Sequence, residues 1–302
     1  MRPAEGSLSL TESNSASLAL LALCGGAVAI AFAPIFVRLS HVGPSATAFW
    51  RLTLALPALW LWMMLEGQGR SSPHRSFSLA NYAHLSVAGL FFAGDLAVWH
   101  WSIRFTSVAN ATLLANFAPI FVVSGGWLFF RQRVGVPFLI GMGTALIGTT
   151  LMVGKSFQIS VQHLWGDVLG LITAMFYAGY ILSVKRLRSE FSASIIMACS
   201  GVVTSAALLP VALCSGEHLI PESMQGWKPL VGLALVSQVG GQSLIAYALA
   251  HLPAAFSSLT LLLQPVMATV FAWLILNETI GPLQALGGVL VLIGIFVARR
   301  VS

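Results

Sequence analysis

Few ionisable side chains interrupt the long apolar runs of this 302-residue sequence. Arg51 lies in the second run, Asp95 and His100 in the third, and Asp167 near the start of the sixth. Charges held in apolar surroundings face a protein interior or a pathway and seek partners. At the helical rise, Arg51 and Asp95 lie roughly 9 and 12 Å from the same face, so they are expected to be able to pair. The pair reads as a substrate- or proton-responsive couple lining a cavity, or as a static lock between two segments; both readings stay open. His100 stands among the pathway candidates with Trp99. Its place between Trp99 and Trp101 suits an interfacial anchor better than a proton relay. Asp95, His100 and Ser102 do not form a hydrolytic triad, because no GxSxG-type nucleophile motif accompanies them.

Uncharged polar residues form a second set. Asn110, Thr112 and Asn116 fall in the fourth run. Gln238, Gln242 and Tyr247 fall in the eighth, and Ser257, Ser258, Thr260 and Gln264 in the ninth. Asn116 and Gln264 precede Pro119 and Pro265, and a proline frees a backbone carbonyl about one turn earlier. Such a break is tolerated in a membrane where it lines a cavity. Asn116, Gln242 and Gln264 are the preferred lining candidates, against the alternative of ordinary interhelical hydrogen bonds. Tyr177 and Tyr180, three apart in the sixth run, could stack on a planar or cationic ligand. Trp50, Trp99, Trp101 and Tyr247 could do the same, although most tryptophans near run ends are membrane-belt anchors.

These residues need positioning elements, and composition says which. The chain is 57% hydrophobic and 8% charged, whereas soluble domains carry about 25% charged residues. That excludes a soluble enzyme, a disordered chain and a basic nucleic-acid binder. Ten runs are long enough to span a bilayer. They cover about 17–37, 45–65, 83–103, 106–130, 136–154, 164–184, 193–214, 228–250, 254–276 and 281–298. The runs lack the alternation of a β-barrel, so the expected class is an all-α integral membrane protein. Residues 1–16 are polar and lack the basic start of a cleaved signal, so the first run is expected to be a retained helix. Cys24, Cys199 and Cys214 lie singly in apolar runs and propose no disulfide or metal site. No cofactor motif and no nucleotide-binding loop is present.

Placing both termini in the cytoplasm puts ten basic residues in inner segments and four, Arg38, Arg104, Lys155 and Lys228, in outer ones. This satisfies the positive-inside rule. Shifting the chain by 146 residues lays 108–149 over 254–295 with ten identities in 42 positions, among them Pro119/Pro265, Trp127/Trp273, Gly141/Gly287 and Gly148/Gly294. The chain is therefore read as a duplicated five-span unit, 17–155 and 164–300. Five is odd, so the second copy must be inverted, a recurrent transporter design. Gly141, Ala145 and Gly148, with Gly287, Val291 and Gly294, make narrow faces on spans 5 and 10, read as scaffold or dimer surface.

Several stretches carry a family resemblance. Ala33-Pro34-Ile35-Phe36-Val37-Arg38 precedes Pro44 and Phe49-Trp50-Arg51. Gly94 to Ser102 is followed by Ser107-Val108-Ala109-Asn110-Ala111 and Pro119. The second half holds Leu263-Gln264-Pro265-Val266 and Asn277-Glu278. In this order they resemble the EamA-type transporters of the drug/metabolite transporter superfamily. The resemblance implies a bacterial inner-membrane carrier that exports or exchanges small metabolites, some members handling amino acids. It also implies a central cavity walled mainly by spans 3, 4, 8 and 9. The sequence departs at Arg131-Gln132, where the family usually has Gly-Glu. The expected partners are a small-molecule substrate and the bilayer, with a proton or counter-substrate and a second copy left open. Two other classes compete. A membrane enzyme on lipid-borne substrates would gather its polar residues at one membrane face. A non-transporting scaffold would not need matched polar kinks.

Overall fold

The computed structural model describes residues 5–69, 78–153 and 163–300, and among them every regular element is helical. Among the described residues, ten helices are long and apolar enough to span a membrane: α1 (Ser15–Arg38), α2 (Pro44–Gly67), α3 (Leu79–Phe105), α4 (Asn110–Phe130), α5 (Val136–Val153), α6 (Leu164–Leu187), α7 (Ala193–Cys214), α8 (Met224–His251), α9 (Ala254–Leu276) and α10 (Pro282–Arg299). They match the ten apolar runs to within a few residues. The helix that carries α1 begins at Glu5, inside the polar segment. Odd-numbered spans end on one face of the bundle, marked by Arg38, and even-numbered spans end on the other, marked by Lys185.

Serines fix several span starts. Ser78, Ser107, Ser192 and Ser223 each accept a hydrogen bond from the backbone N–H three residues on, which satisfies one of the orphan donors of a first turn. α2 starts with Gly43-Pro44 and has no such residue. The Glu217 carboxylate, from the α7–α8 connection, supplies its cap by accepting from Ser45 N at 2.8 Å and Ala46 N at 3.2 Å. A carboxylate suits the positive end of a helix dipole, and Arg104 approaches the same carboxylate at 3.5 Å.

The two five-span units are related by inversion, and packing displays it. α1 lies against α8 and α9, while its repeat partner α6 lies against α3 and α4. The self-paired contacts are α2 with α7 and α5 with α10. At α5/α10 a Cβ on Gly141 would stand 2.6 Å from the Gly294 carbonyl oxygen, and one on Gly148 would stand 2.6 Å from that of Gly287. Gly141 and Gly287 occupy equivalent repeat positions, as do Gly148 and Gly294, so the contact maps onto itself under the inversion. The small-residue faces are thus consumed inside the chain and are not a free dimer surface. Arg131 and Asn277, also 146 apart, both end their helices with φ near +55° (53° and 55°). That left-handed position suits Gly and tolerates Asn, so Arg131 holds it against a steric preference.

Three spans are broken and one is widened. α1 breaks at Phe32, before Pro34; α4 at Asn116–Phe117, before Pro119; α9 at Leu261–Leu262, before Pro265. α8 passes through a π-helical stretch from Leu233 to Gln242, a geometry that recurs at functional sites.

Gly148→Leu is expected to force α5 and α10 apart, with a loss of about 1–3 kcal/mol or more. Thermal unfolding of purified protein measures it, and an unchanged melting temperature would contradict the crossing.

Candidate functional site

The breaks converge on one cavity of about 940 Å³, at the upper end of the range for small-molecule sites. Its mouth lies at the Arg38 face, between Val37, Arg38, Ile103, Glu278, Thr279 and Gln284. Arg38 and Glu278 form an ion pair at this rim. Its interior reaches Asn116, Tyr177, Gln242 and Gln264 near mid-bundle. One wall is apolar, from Ile30, Ala31 and Pro34 of α1 and Ala268, Ala272 and Leu276 of α9.

Of the pathway residues selected from sequence, Arg51, Asp95, Trp99, His100, Asn116, Tyr177, Gln242 and Gln264 line this cavity. Arg51 is buried, 9% exposed, with its guanidinium carbon 5.7 Å from the Phe92 ring centroid. Its Nε donates to Gln238 Oε1 at 2.9 Å. The charges of Arg51 and Asp95 influence each other, yet no ion-pair contact joins them among the described residues. The direct lock between spans 2 and 3 is therefore absent, and both charges face the cavity. His100 is no interfacial anchor. It is buried, its Nδ1 bonds the Leu96 carbonyl, and its ring stands edge-on to Trp99. Trp101 is the exposed aromatic of this stretch.

Four of the selected residues stand outside the cavity wall. Asn110 is fully buried and donates to Asp167 Oδ1 at 3.4 Å, beside Thr106, which donates to the same oxygen at 2.7 Å. It clamps the start of α4 to the start of α6. Tyr180 stacks on Phe92 and points its hydroxyl at Met197 Sδ. Gln238 sits behind Arg51 and orients it. Tyr247 packs against His251, one helical turn on. Asn110, Tyr180 and Gln238 share a reason: helix rotation, which composition does not report, turns them toward neighbouring helices. Trp50 likewise anchors α2, donating from Nε1 to the Leu219 carbonyl at 2.6 Å and meeting Trp227 edge-on.

Sequence reasoning missed Phe92, Thr173 and the Arg38–Glu278 rim pair. Glu278 had a signal, since it sits in a turn at the end of an apolar run. Phe92 had none, because one phenylalanine among 18 looks like any other.

At the cavity floor, Tyr177, Gln242 and Gln264 come together. Gln242 Oε1 and Gln264 Nε2 are nevertheless buried without a partner. A buried polar group left unsatisfied costs about 1–3 kcal/mol. Below the floor, the Lys185 face is closed. Lys185 Nζ donates to the Leu252 carbonyl at 3.0 Å, and Arg188 Nε to that of Ala246 at 2.9 Å. Leu252 stands at the end of α8, where a cation is favoured.

The comparisons with known proteins agree with this architecture. The family model described as "EamA-like transporter family" matches residues 17–154 and 164–300. An uncharacterised transporter of Archaeoglobus fulgidus is 25% identical, over 94% of this chain and 97% of its own. A pseudopaline exporter of Pseudomonas aeruginosa is 26% identical, over 72% and 74%. A probable terminal-alkyne amino-acid exporter of Streptantibioticus cattleyicolor is 27% identical, over 90% and 89%. A solved crystal structure superposes with a TM-score of 0.75 at 18% identity, covering 95% of this chain and 99% of that one, and so shares the fold.

Asn110→Ala is expected to lower stability by about 1–3 kcal/mol through the lost bond to the Asp167 carboxylate, which keeps its bond from Thr106, while changing ligand affinity less than about twofold. Thermal unfolding and ligand titration of the same preparation measure both.

Proposed function

The chain belongs to the EamA-like transporter family, and we propose that it is a secondary carrier exporting or exchanging small zwitterionic metabolites, amino acids or related compounds, by alternating access. One observation carries the reading: Arg51 and Asp95 face the same cavity without touching each other. A fixed cation and a fixed anion, both within protein walls and each available, match a substrate bearing a carboxylate and an ammonium. The guanidinium suits the carboxylate because it offers several donors in one plane. Gln238 and Phe92 hold it in position, so little side-chain freedom is lost on binding. The Asp95 carboxylate takes the ammonium, or a proton in its place when the site returns empty. The relatives named as exporters of a metabolite and of an amino acid support the class of cargo.

The repeats support the alternation. The second half of α9, Leu263–Leu276, buries no residue, because one of its faces lines the cavity. Its repeat partner in α4, Ala118–Phe130, buries Ala118, Pro119, Val122 and Gly126. The same unit thus occurs once beside an open pathway and once in a closed one, and exchanging the two conformations would move the opening to the Lys185 face. Under the positive-inside rule, the open Arg38 face is the outer one and both termini are cytoplasmic; family membership supports the bacterial inner membrane.

Two measurements test the reading. Arg51→Lys and Asp95→Asn are expected to leave a folded protein with at least about tenfold lower transport. Loss of folding in both would return them to a structural role. Wild-type protein is expected to be stabilised by amino acids rather than by nucleobases, sugars or organic cations in thermal-shift screening. No shift from any class, with no uptake in vesicles, would overturn the carrier. Separately, Val122→Cys is expected to react with a membrane-impermeant maleimide from the cytoplasmic side, about tenfold faster when substrate is cycling than when transport is blocked. Equal rates under both conditions would contradict the exchange of repeat conformations.

A further inference from the structure

We infer that the cavity floor is a second recognition subsite, built by Gln242, Gln264 and Tyr177, that reads a neutral group carrying a hydrogen-bond donor beside an acceptor. A carboxamide is the simplest such group. The inference deepens the zwitterion reading and rests on it: Arg51 and Asp95 hold the charged head, and the floor reads the far end of the molecule.

The argument begins with what the floor leaves unmet. Gln242 and Gln264 come from different spans, α8 and α9, and both reach the cavity at a departure from regular helix. Gln242 ends the π-helical stretch, and Gln264 follows the α9 break, directly before Pro265. The Tyr177 side chain lines the same floor beside both amides. A hydroxyl donates once, so it can give its proton to one amide oxygen while accepting from the other amide's N–H₂. One acceptor, Gln242 Oε1, and one donor, Gln264 Nε2, remain unpartnered and buried. Flipping both amides exchanges the roles and still leaves one acceptor and one donor.

The small void beneath the floor does not remove the need. It measures about 20 Å³ and is lined by Asn116, Tyr177, Ser258 and Gln264 among others, but not by Gln242. A single water fits such a space and would serve Gln264, leaving Gln242 Oε1 without a partner. A carboxylate at the far end would meet an amide oxygen and be repelled. An alkyl end would seal both amides without bonding either. A carboxamide donates to the first amide and accepts from the second, so the floor discriminates by hydrogen-bond pattern. Sites of this kind reject analogues that lack the matching group far better than apolar pockets reject a missing methylene.

The test uses the full-length protein purified in detergent, with L-glutamine and L-asparagine as carboxamide probes and L-glutamate and L-leucine as controls. Thermal unfolding is read with and without each probe. Wild-type protein is expected to bind the better carboxamide probe at least about tenfold more tightly than either control. The double variant Gln242→Met/Gln264→Met removes the orphaned groups at similar volume. It is expected to melt about 2 °C or more above wild type without ligand, and to lose the carboxamide preference while still being stabilised by L-leucine. A lower melting temperature, or failure to fold, would overturn the subsite by showing that the amides are structural hydrogen-bond partners. Stabilisation of wild type by all four probes without preference would overturn the subsite alone and leave the zwitterion reading standing. No stabilisation by any probe, with no uptake of them in proteoliposomes, would overturn both. Tyr177→Phe supplies a second check: it frees the amides to pair with each other, and is expected to reduce carboxamide affinity at least about fivefold while L-leucine affinity stays within twofold. Equal losses for both probes would count against the relay.

Discussion

Hydrocarbon offers no hydrogen bonds, so every backbone N–H and C=O within the bilayer must be satisfied by the protein or by water in a protein-lined space. Much of this structure follows from that constraint. Regular helix can stand anywhere in the bundle, but irregular helix can stand only where something meets its loose ends. The breaks of α1, α4 and α9 and the π-helical stretch of α8 lie apart in sequence, yet all contribute residues to one cavity. The cavity supplies polar surroundings for the irregular backbone, and the irregular backbone opens space for the cavity. Prolines alone do not decide this. Pro57 and Pro210 sit within helices that continue past them.

The second organising feature is the inversion. An odd number of spans per unit forces the copies to enter the membrane in opposite senses. The sequence copes by moving Lys and Arg to suit each side, and packing copes by exchanging partners, α1 with α8 and α9, α6 with α3 and α4. The close crossing of α5 and α10 at four glycines carries the symmetry, since its contacts map onto themselves. Around that fixed crossing the other equivalent helices are not in equal states. α9 exposes to the cavity what α4 buries. Lys185 and Arg188 tie one face together through the Leu252 and Ala246 carbonyls, while at the opposite face the cavity rim carries the ion pair of Arg38 and Glu278. A symmetric sequence in an asymmetric conformation is the physical basis for reading this chain as a carrier that has two forms.

Much of the fold was legible without coordinates, for a stated reason. Spans are long and hydropathy is a strong signal, so the ten helices appear in composition alone. The duplication showed through Pro119/Pro265, Trp127/Trp273 and the paired glycines because those residue types answer to backbone geometry, which both copies share. The glycine faces read as contact surfaces in the sequence, but a small-residue stripe does not say whether it meets the chain itself or a second copy. The cap on α2 was invisible, because Glu217 acts across 172 positions.

Sequence by itself determined that the protein lives in a membrane, how many times it crosses, that its halves are inverted copies, and which few charges topology does not require. Those properties depend on residue type and order, summed over many positions. Only the tertiary structure decided which polar side chains share a cavity. Eight of the twelve selected residues line it, whereas Asn110, Tyr180 and Gln238 turn to other helices and Tyr247 packs against His251 on its own. Rotation about a helix axis makes that choice, and it is set by kinks, a π turn and close glycine contacts that no local pattern encodes. The relation between Arg51 and Asp95 belongs to the same class. Sequence placed them at similar depth, and the fold kept them apart and facing the same space.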